Sequence, residues 1–125
     1  MQEYTVVIAM LALLQCIYFS IRVGDARAKF GVDAPATTGN ADFERINRVH
    51  YNTIEQLVIF MPALFTFSTY VSPLWAQVLG VAFIIGRFVY SKGYTNDAKK
   101  RTPGMIITFL SNVVLVVGTI IGVFI

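Results

Sequence analysis

The sequence predicts an all-α integral membrane protein: four helices in an up-down-up-down bundle, forming one domain of 125 residues. Three observations predict that class. First, 56% of the residues are hydrophobic, 14% are charged, and the mean hydropathy is +0.66. A soluble domain is about a quarter charged, and a small one still exposes a large share of its surface. A soluble enzyme, a nucleic-acid module and a disordered chain are therefore excluded as readings. Second, the apolar residues fall into four stretches of membrane-spanning length, about 4–22, 44–70, 74–94 and 105–125. Third, all ten basic residues lie in or beside the first and third connections, and none at the N-terminus, the second connection or the C-terminus.

The elements follow in order. Residues 4–21 carry no charge and suffice for a slightly short crossing. Ala26-Arg27-Ala28 has the shape of a signal cleavage site, but Glu3 replaces the basic cluster that precedes a signal core, and Arg22, Arg27 and Lys29 follow the run. The segment reads as a retained span. Residues 22–42 form a polar stretch with turn residues at Asp33-Ala34-Pro35 and Thr37-Thr38-Gly39-Asn40. A second helix starts near Phe43 and runs to about Tyr70, polar in its first third, with Pro62 inside it as a source of a kink. Ser72-Pro73 makes an uncharged turn. The third span is interrupted by Arg87, a charged link covers 96–101, and Pro103-Gly104 introduces the uncharged fourth span. The positive-inside rule puts both long links in the cytoplasm and both termini on the opposite side. Helices also satisfy their own backbone hydrogen bonds in lipid, which an open sheet cannot.

Charges inside the second and third helices point to function. Glu44, Arg45, Arg48, Asn52 and Glu55 share one stripe of the second helix, because residues three, four and seven apart are neighbours on a helix surface. His50 falls almost opposite. Glu55 is followed by apolar residues up to Thr66, and an ionisable side chain at that depth usually marks a pathway or site. Arg87, Tyr90 and Tyr94 share one face of the third helix, and Arg101 stands at the mouth of the fourth. Arg48 with Glu55, or Glu44 with Arg48, would serve as ion pairs holding helices together. Arg87 would serve as a snorkelling cation, and the two tyrosines as interfacial aromatics. Those readings leave a surplus of cation: Arg48, Arg87 and Arg101 share one deep carboxylate. A polyanionic ligand carrying one positive group would complete the balance.

Other residues read as structural. Cys16 is a small apolar filler, and one cysteine permits no internal disulfide. His50, the only histidine, lacks companions for a metal site. Lys99-Lys100 suits anionic headgroups, and Gly118 with Gly122 has the spacing of close helix contact.

The words Phe43-Glu44-Arg45-Ile46-Asn47-Arg48-Val49-His50-Tyr51-Asn52-Thr53-Ile54-Glu55, Gly86-Arg87-Phe88-Val89-Tyr90-Ser91-Lys92-Gly93-Tyr94 and Lys99-Lys100-Arg101-Thr102-Pro103-Gly104 resemble the membrane-associated proteins in eicosanoid and glutathione metabolism, the MAPEG family. Asp25-Ala26-Arg27 and Thr37-Thr38-Gly39 in the first link agree with it. The likeness spans essentially the whole chain and most resembles the branch that holds leukotriene-C synthase and the type-two microsomal glutathione transferase. It implies a homotrimer of four-helix subunits with glutathione as co-substrate at the subunit interface and no metal. It implies a glutathione transferase, with activity toward lipid hydroperoxides as a further possibility, acting on lipophilic electrophiles from the membrane lipid. By position, Arg48, Asn52, Glu55, Tyr90, Tyr94 and Arg101 would contact glutathione from one subunit, with Arg27 and His50 reaching it from the next. Arg101 would be the catalytic cation; Glu44, Arg45 and Arg87 would support. His50 stands where many relatives have glutamine, and Tyr51 and Gln56 also vary, without an assigned role. The alternatives are a non-catalytic lipid-binding accessory to a partner enzyme, whose known examples lack an arginine at the position of Arg101, and a scaffold or transporter, against which the absence of internal repeats counts.

Overall fold

The computed structural model describes residues 2–125 and contains four long helices, α1 (Gln2–Phe30), α2 (Ala41–Tyr70), α3 (Pro73–Asn96) and α4 (Thr102–Val123), with a short 3-10 turn at Ala98–Arg101. Each boundary has a local cause. The chain leaves α1 through Gly31 at φ 68°, a left-handed conformation that glycine adopts freely. Asn40 caps α2, its side-chain oxygen accepting from the Phe43 amide at 3.0 Å. Asp42 and Glu44 lie in the first turn, where the helix dipole favours negative charge. Ser72 caps α3, accepting from the Trp75 amide at 3.3 Å, and Pro73 opens the helix where no donor is needed. Asp97 ends α3 and accepts from the Lys99 amide at 3.0 Å, which turns the chain into α4.

α1 continues well beyond the charge-free run. Phe19, Val23 and Ala26 are all buried and follow one another at helical spacing, so the inward face carries on past Arg22, whose guanidinium donates to Ser91 of α3 at 3.0 Å, while Asp25 and Lys29 are exposed. α2 passes through Pro62 as a single helix, and Thr66 Oγ donates back to the Pro62 carbonyl at 2.9 Å. Three helical stretches, Gln2–Phe30, Pro73–Asn96 and Ala98–Val123, are long and apolar enough to cross a membrane. α2 is not among them, because its first half holds the charged stripe.

The bundle is apolar on the outside. Val58 is 70% exposed, Phe109 61% and Trp75 59%. Many of the polar side chains lie inside and join helices. Thr5 and Ser68 hydroxyls meet at 3.1 Å, Ser68 donates to Gln2 at 2.8 Å, and Gln15 donates to the Ile84 carbonyl at 2.9 Å. This is the arrangement of a lipid-facing bundle, in which polar contacts and close packing, not burial from water, join the helices. Phe60 and Phe83 stack at 3.9 Å between centroids at the centre of the core, beside Ala9, Ala12, Leu64 and Leu115. α3 packs most extensively on α4. Gly104 makes that approach possible, since a Cβ there would overlap the Tyr90 backbone and lie 2.7 Å from the Gly86 carbonyl. The Gly118–Gly122 pair serves the α2–α4 contact in the same way, with the Phe67 ring at 2.6 Å from the Cβ that Gly118 lacks.

Candidate functional site

The site grows from the stripe on α2. Arg48 and Glu55, seven residues apart, form an ion pair at 3.2 Å. Both are about half exposed, so the pair adds little to stability by itself. Asn52 lies between them and donates to Glu55 Oε1 at 3.5 Å. Its own Oδ1 accepts from Arg87 Nη2 at 2.7 Å, which carries the chain of contacts across to α3. Arg87 is 1% exposed, and its second terminal nitrogen donates to Thr108 of α4 at 3.4 Å. Its Nε has no partner. The guanidinium also lies 4.3 Å from the centroid of the Tyr90 ring, a cation–π contact. Arg48, Glu55, Asn52 and Arg87 therefore form one polar relay through α2 and α3, anchored on α4.

Tyr90 and Tyr94 extend this relay toward the connection. Their rings stack at 5.4 Å, and the Arg101 guanidinium stands 5.9 Å from the Tyr94 ring while donating to the Ala98 carbonyl at 2.7 Å. Arg101 is exposed and, among the described residues, has no carboxylate partner. A recess of about 650 Å³ meets the relay at Arg48 and Tyr94 and is otherwise lined by Tyr51, Glu44, Arg45 and Thr37; Arg101, Tyr90, Asn52 and Glu55 lie outside its lining. That volume is ample for a tripeptide.

Other expected residues stand apart from the relay. Arg27 donates to the Val32 carbonyl at 3.3 Å and to the Ala36 carbonyl at 2.7 Å, and lies over the Phe43 ring at 4.9 Å. It braces the first connection of its own chain. His50 faces Tyr51, ring to ring at 5.9 Å, and holds no bond to the relay. Glu44 accepts from the Gly39 amide at 3.4 Å, and Arg45 pairs with Asp42. Those two secure the entry to α2.

Two contacts were not foreseen from the sequence. Thr108 supports Arg87, and Asn112, one turn further along α4, donates to Gln56 Oε1 at 3.0 Å. The signal available was the spacing of Thr108, Ser111 and Asn112, polar residues three and four apart on the buried face of a span that is mostly apolar. Beside the Gln56–Asn112 pair lies an apolar groove of about 570 Å³ between α2 and α4. Among the described residues no group of His, Cys, Asp and Glu is arranged to hold a metal ion.

Comparison with known proteins places these features in a family. Residues 5–121 match the MAPEG family. A protein of Synechocystis without an assigned activity is 47% identical over 93% of this chain and 85% of its own length. Microsomal glutathione S-transferase 2 of human is 39% identical over 78% of this chain and 66% of its own. Bovine leukotriene C4 synthase is 33% identical over 75% of this chain and 63% of its own. With the family model matching residues 5–121, nearly the whole chain, this chain belongs to the MAPEG family.

Proposed function

We propose that the protein is a membrane-bound glutathione transferase that ionises the thiol of glutathione and conjugates it to lipophilic electrophiles. One observation carries the reading: an uninterrupted polar relay from Arg48 and Glu55 to the buried Arg87, with unpaired Arg101 beside it, inside a bundle whose exterior is apolar. The names of the relatives support the class of reaction.

Glutathione carries two carboxylates and one ammonium. A guanidinium fork matches a carboxylate in plane and spacing, and Arg48 fills that role at the recess. Glu55 takes the ammonium. Because Arg48 and Glu55 neutralise each other at 3.2 Å in the free chain, the ligand's carboxylate and ammonium can exchange for this pair with little net desolvation. Asn52, held by Arg87, and the stacked Tyr90 and Tyr94 position the peptide. Arg27 and His50 lie outside the relay of their own chain and act on the glutathione of a neighbour in a homotrimer. Both charged connections face the cytoplasm, by the distribution of lysine and arginine.

The chemistry needs the thiolate, and a free thiol with a pKa near ~8.5 is mostly protonated at neutral pH. Arg101 favours the ionised sulfur, and the proton leaves to solvent. The sulfur lone pair then attacks the electrophilic carbon, a C–S bond forms, and the leaving group departs with its electron pair or an opened ring or double bond takes the charge. The groove between α2 and α4 begins one helical turn from Asn52 and Thr108 and is lined by Ile59, Phe109 and Val116, suiting an apolar substrate arriving from lipid.

Equilibrium dialysis of the detergent-purified protein against glutathione, followed by conjugation of a chlorodinitrobenzene, tests the reading. Saturable binding with turnover is expected; no saturable binding removes it. Binding without turnover would favour the lipid-binding accessory. Cross-linking the same sample tests the assembly, with a species at three chain masses expected.

A further inference from the structure

The amides of Gln56 and Asn112 meet where an apolar environment should discourage them. Asn112 is 4% exposed and donates through Nδ2 to the Gln56 side-chain oxygen at 3.0 Å, with the Gln56 backbone carbonyl at 3.5 Å. A side-chain amide has one acceptor and two N–H donors, so one bond between two amides leaves an oxygen free on one and an NH2 group free on the other. The structure bears this out: Asn112 Oδ1 is buried without a partner, and among the described residues none accepts from the Gln56 nitrogen. As a device for seating α2 on α4 the pair is poor. Unsatisfied polar atoms are costly to bury, and hydrogen bonds between membrane helices return little.

Position gives the pair a use. Gln56 is one turn from Asn52 on α2, and Asn112 one turn from Thr108 on α4; Asn52 and Thr108 are the two side chains that hold Arg87. Four residues of helix advance about 6 Å. The α2–α4 seam therefore descends in rungs: the charged relay, then the amide pair, then Ile59 with Val113 and Val116 in the apolar groove of about 570 Å³. A molecule lying in that groove with its reactive end toward the relay must pass the Gln56 NH2 group, which among the described residues has no acceptor.

We propose that Gln56 and Asn112 are the specificity-determining pair of the electrophile site, holding an oxygen of a lipophilic carbonyl compound whose reacting carbon is conjugated to that oxygen. The inference rests on the transferase reading above and narrows its substrate class. Gln56 donates to the carbonyl oxygen, Asn112 fixes the Gln56 amide plane, and the aliphatic tail fills the groove. Substrates without such an oxygen gain nothing from the pair.

The test compares a medium-chain α,β-unsaturated aldehyde with benzyl chloride, which has no oxygen, as substrates of the purified full-length protein with glutathione saturating. Gln56→Met keeps the side-chain length and removes the donors; Asn112→Leu keeps Gln56 and removes its support. Each variant is expected to lower kcat/KM for the aldehyde about tenfold while changing that for benzyl chloride less than twofold, with glutathione affinity unaltered. Equal falls for both substrates would mean a structural role and overturn the proposal, as would no change for either. A wild-type protein that conjugates benzyl chloride and not the aldehyde overturns it alone. A wild-type protein that does not bind glutathione overturns the transferase reading, and this proposal with it.

Discussion

Replacing Arg101 with alanine isolates the ionisation step. The side chain is exposed, donates within its own chain to the Ala98 carbonyl and otherwise stands 5.9 Å from the Tyr94 ring. Its removal therefore leaves the packing of α3 on α4 alone. A guanidinium about 4 Å from a thiolate interacts by roughly 4 kcal/mol at an effective dielectric constant near ~20. Part of that is lost to water in an open recess, and lowering the thiol pKa from ~8.5 to ~6.5 needs about 2.7 kcal/mol. At pH ~7 the ionised fraction of bound thiol is then about three quarters in the wild type and about 3% in Arg101→Ala, a loss of roughly 25-fold. Ultraviolet thiolate absorbance titrated against pH in the glutathione-saturated protein reads this directly, beside the rate with an aryl halide at one pH. The variant's titration should move up by about two units, with the melting temperature unchanged. An unmoved titration with lost turnover would show that Arg101 acts on the electrophile or on release, and would remove it from thiol activation.

Glu55→Gln separates binding from stability. The ion pair with Arg48 is half exposed, so the variant should lose under about 1 kcal/mol of stability, while glutathione affinity by calorimetry falls about tenfold or more; undiminished affinity would refute the ammonium assignment. Gly104→Ala tests the closest helix contact. The added Cβ overlaps the Tyr90 backbone, and forcing the helices apart should cost about 3 kcal/mol, seen as a clear fall in the melting temperature. An unchanged melt would mean that α3 and α4 do not meet through Gly104.

Much of the fold is legible in the order of apolar and polar residues, because a bilayer enforces helices and leaves few topologies. The stripe on α2 is legible for a related reason. Helical spacing alone joins Arg48, Asn52 and Glu55, and the structure joins them. The extent of α1 is less so. Arg22 to Lys29 reads as a link by charge, yet Val23 and Ala26 carry the buried face onward to Phe30. Charge density marks where a span leaves lipid, not where its helix stops. The Gln56–Asn112 contact needs the register of α2 against α4, which residues 56 positions apart do not disclose. Arg27 is another case. Its spacing from the other arginines carries no hint that the Val32 and Ala36 carbonyls hold it.

Charge accounting within the site leads to a further measurable consequence. Arg48 is balanced by Glu55 and Arg45 by Asp42. Among the described residues, Arg87 and Arg101 have no carboxylate within ion-pair distance and Glu44, in the recess lining, has no cation, so one chain brings a net charge of +1, and the Arg27 proposed to reach the ligand from a neighbouring subunit makes it +2. Glutathione with a neutral thiol brings two carboxylates and one ammonium, a net charge of −1. Ionisation of the thiol makes it −2 and completes the match, so the site should select the thiolate and binding should expel a proton. With the thiol pKa falling from ~8.5 to ~6.5, about 0.7 proton leaves per glutathione bound at pH ~7. Calorimetry in two buffers of different ionisation enthalpy measures that number without any turnover. Arg101→Ala should bring it close to zero while binding persists. Binding by the wild type without proton release would mean that both cations serve the carboxylates, and that the thiol ionises only once the electrophile has entered the α2–α4 groove.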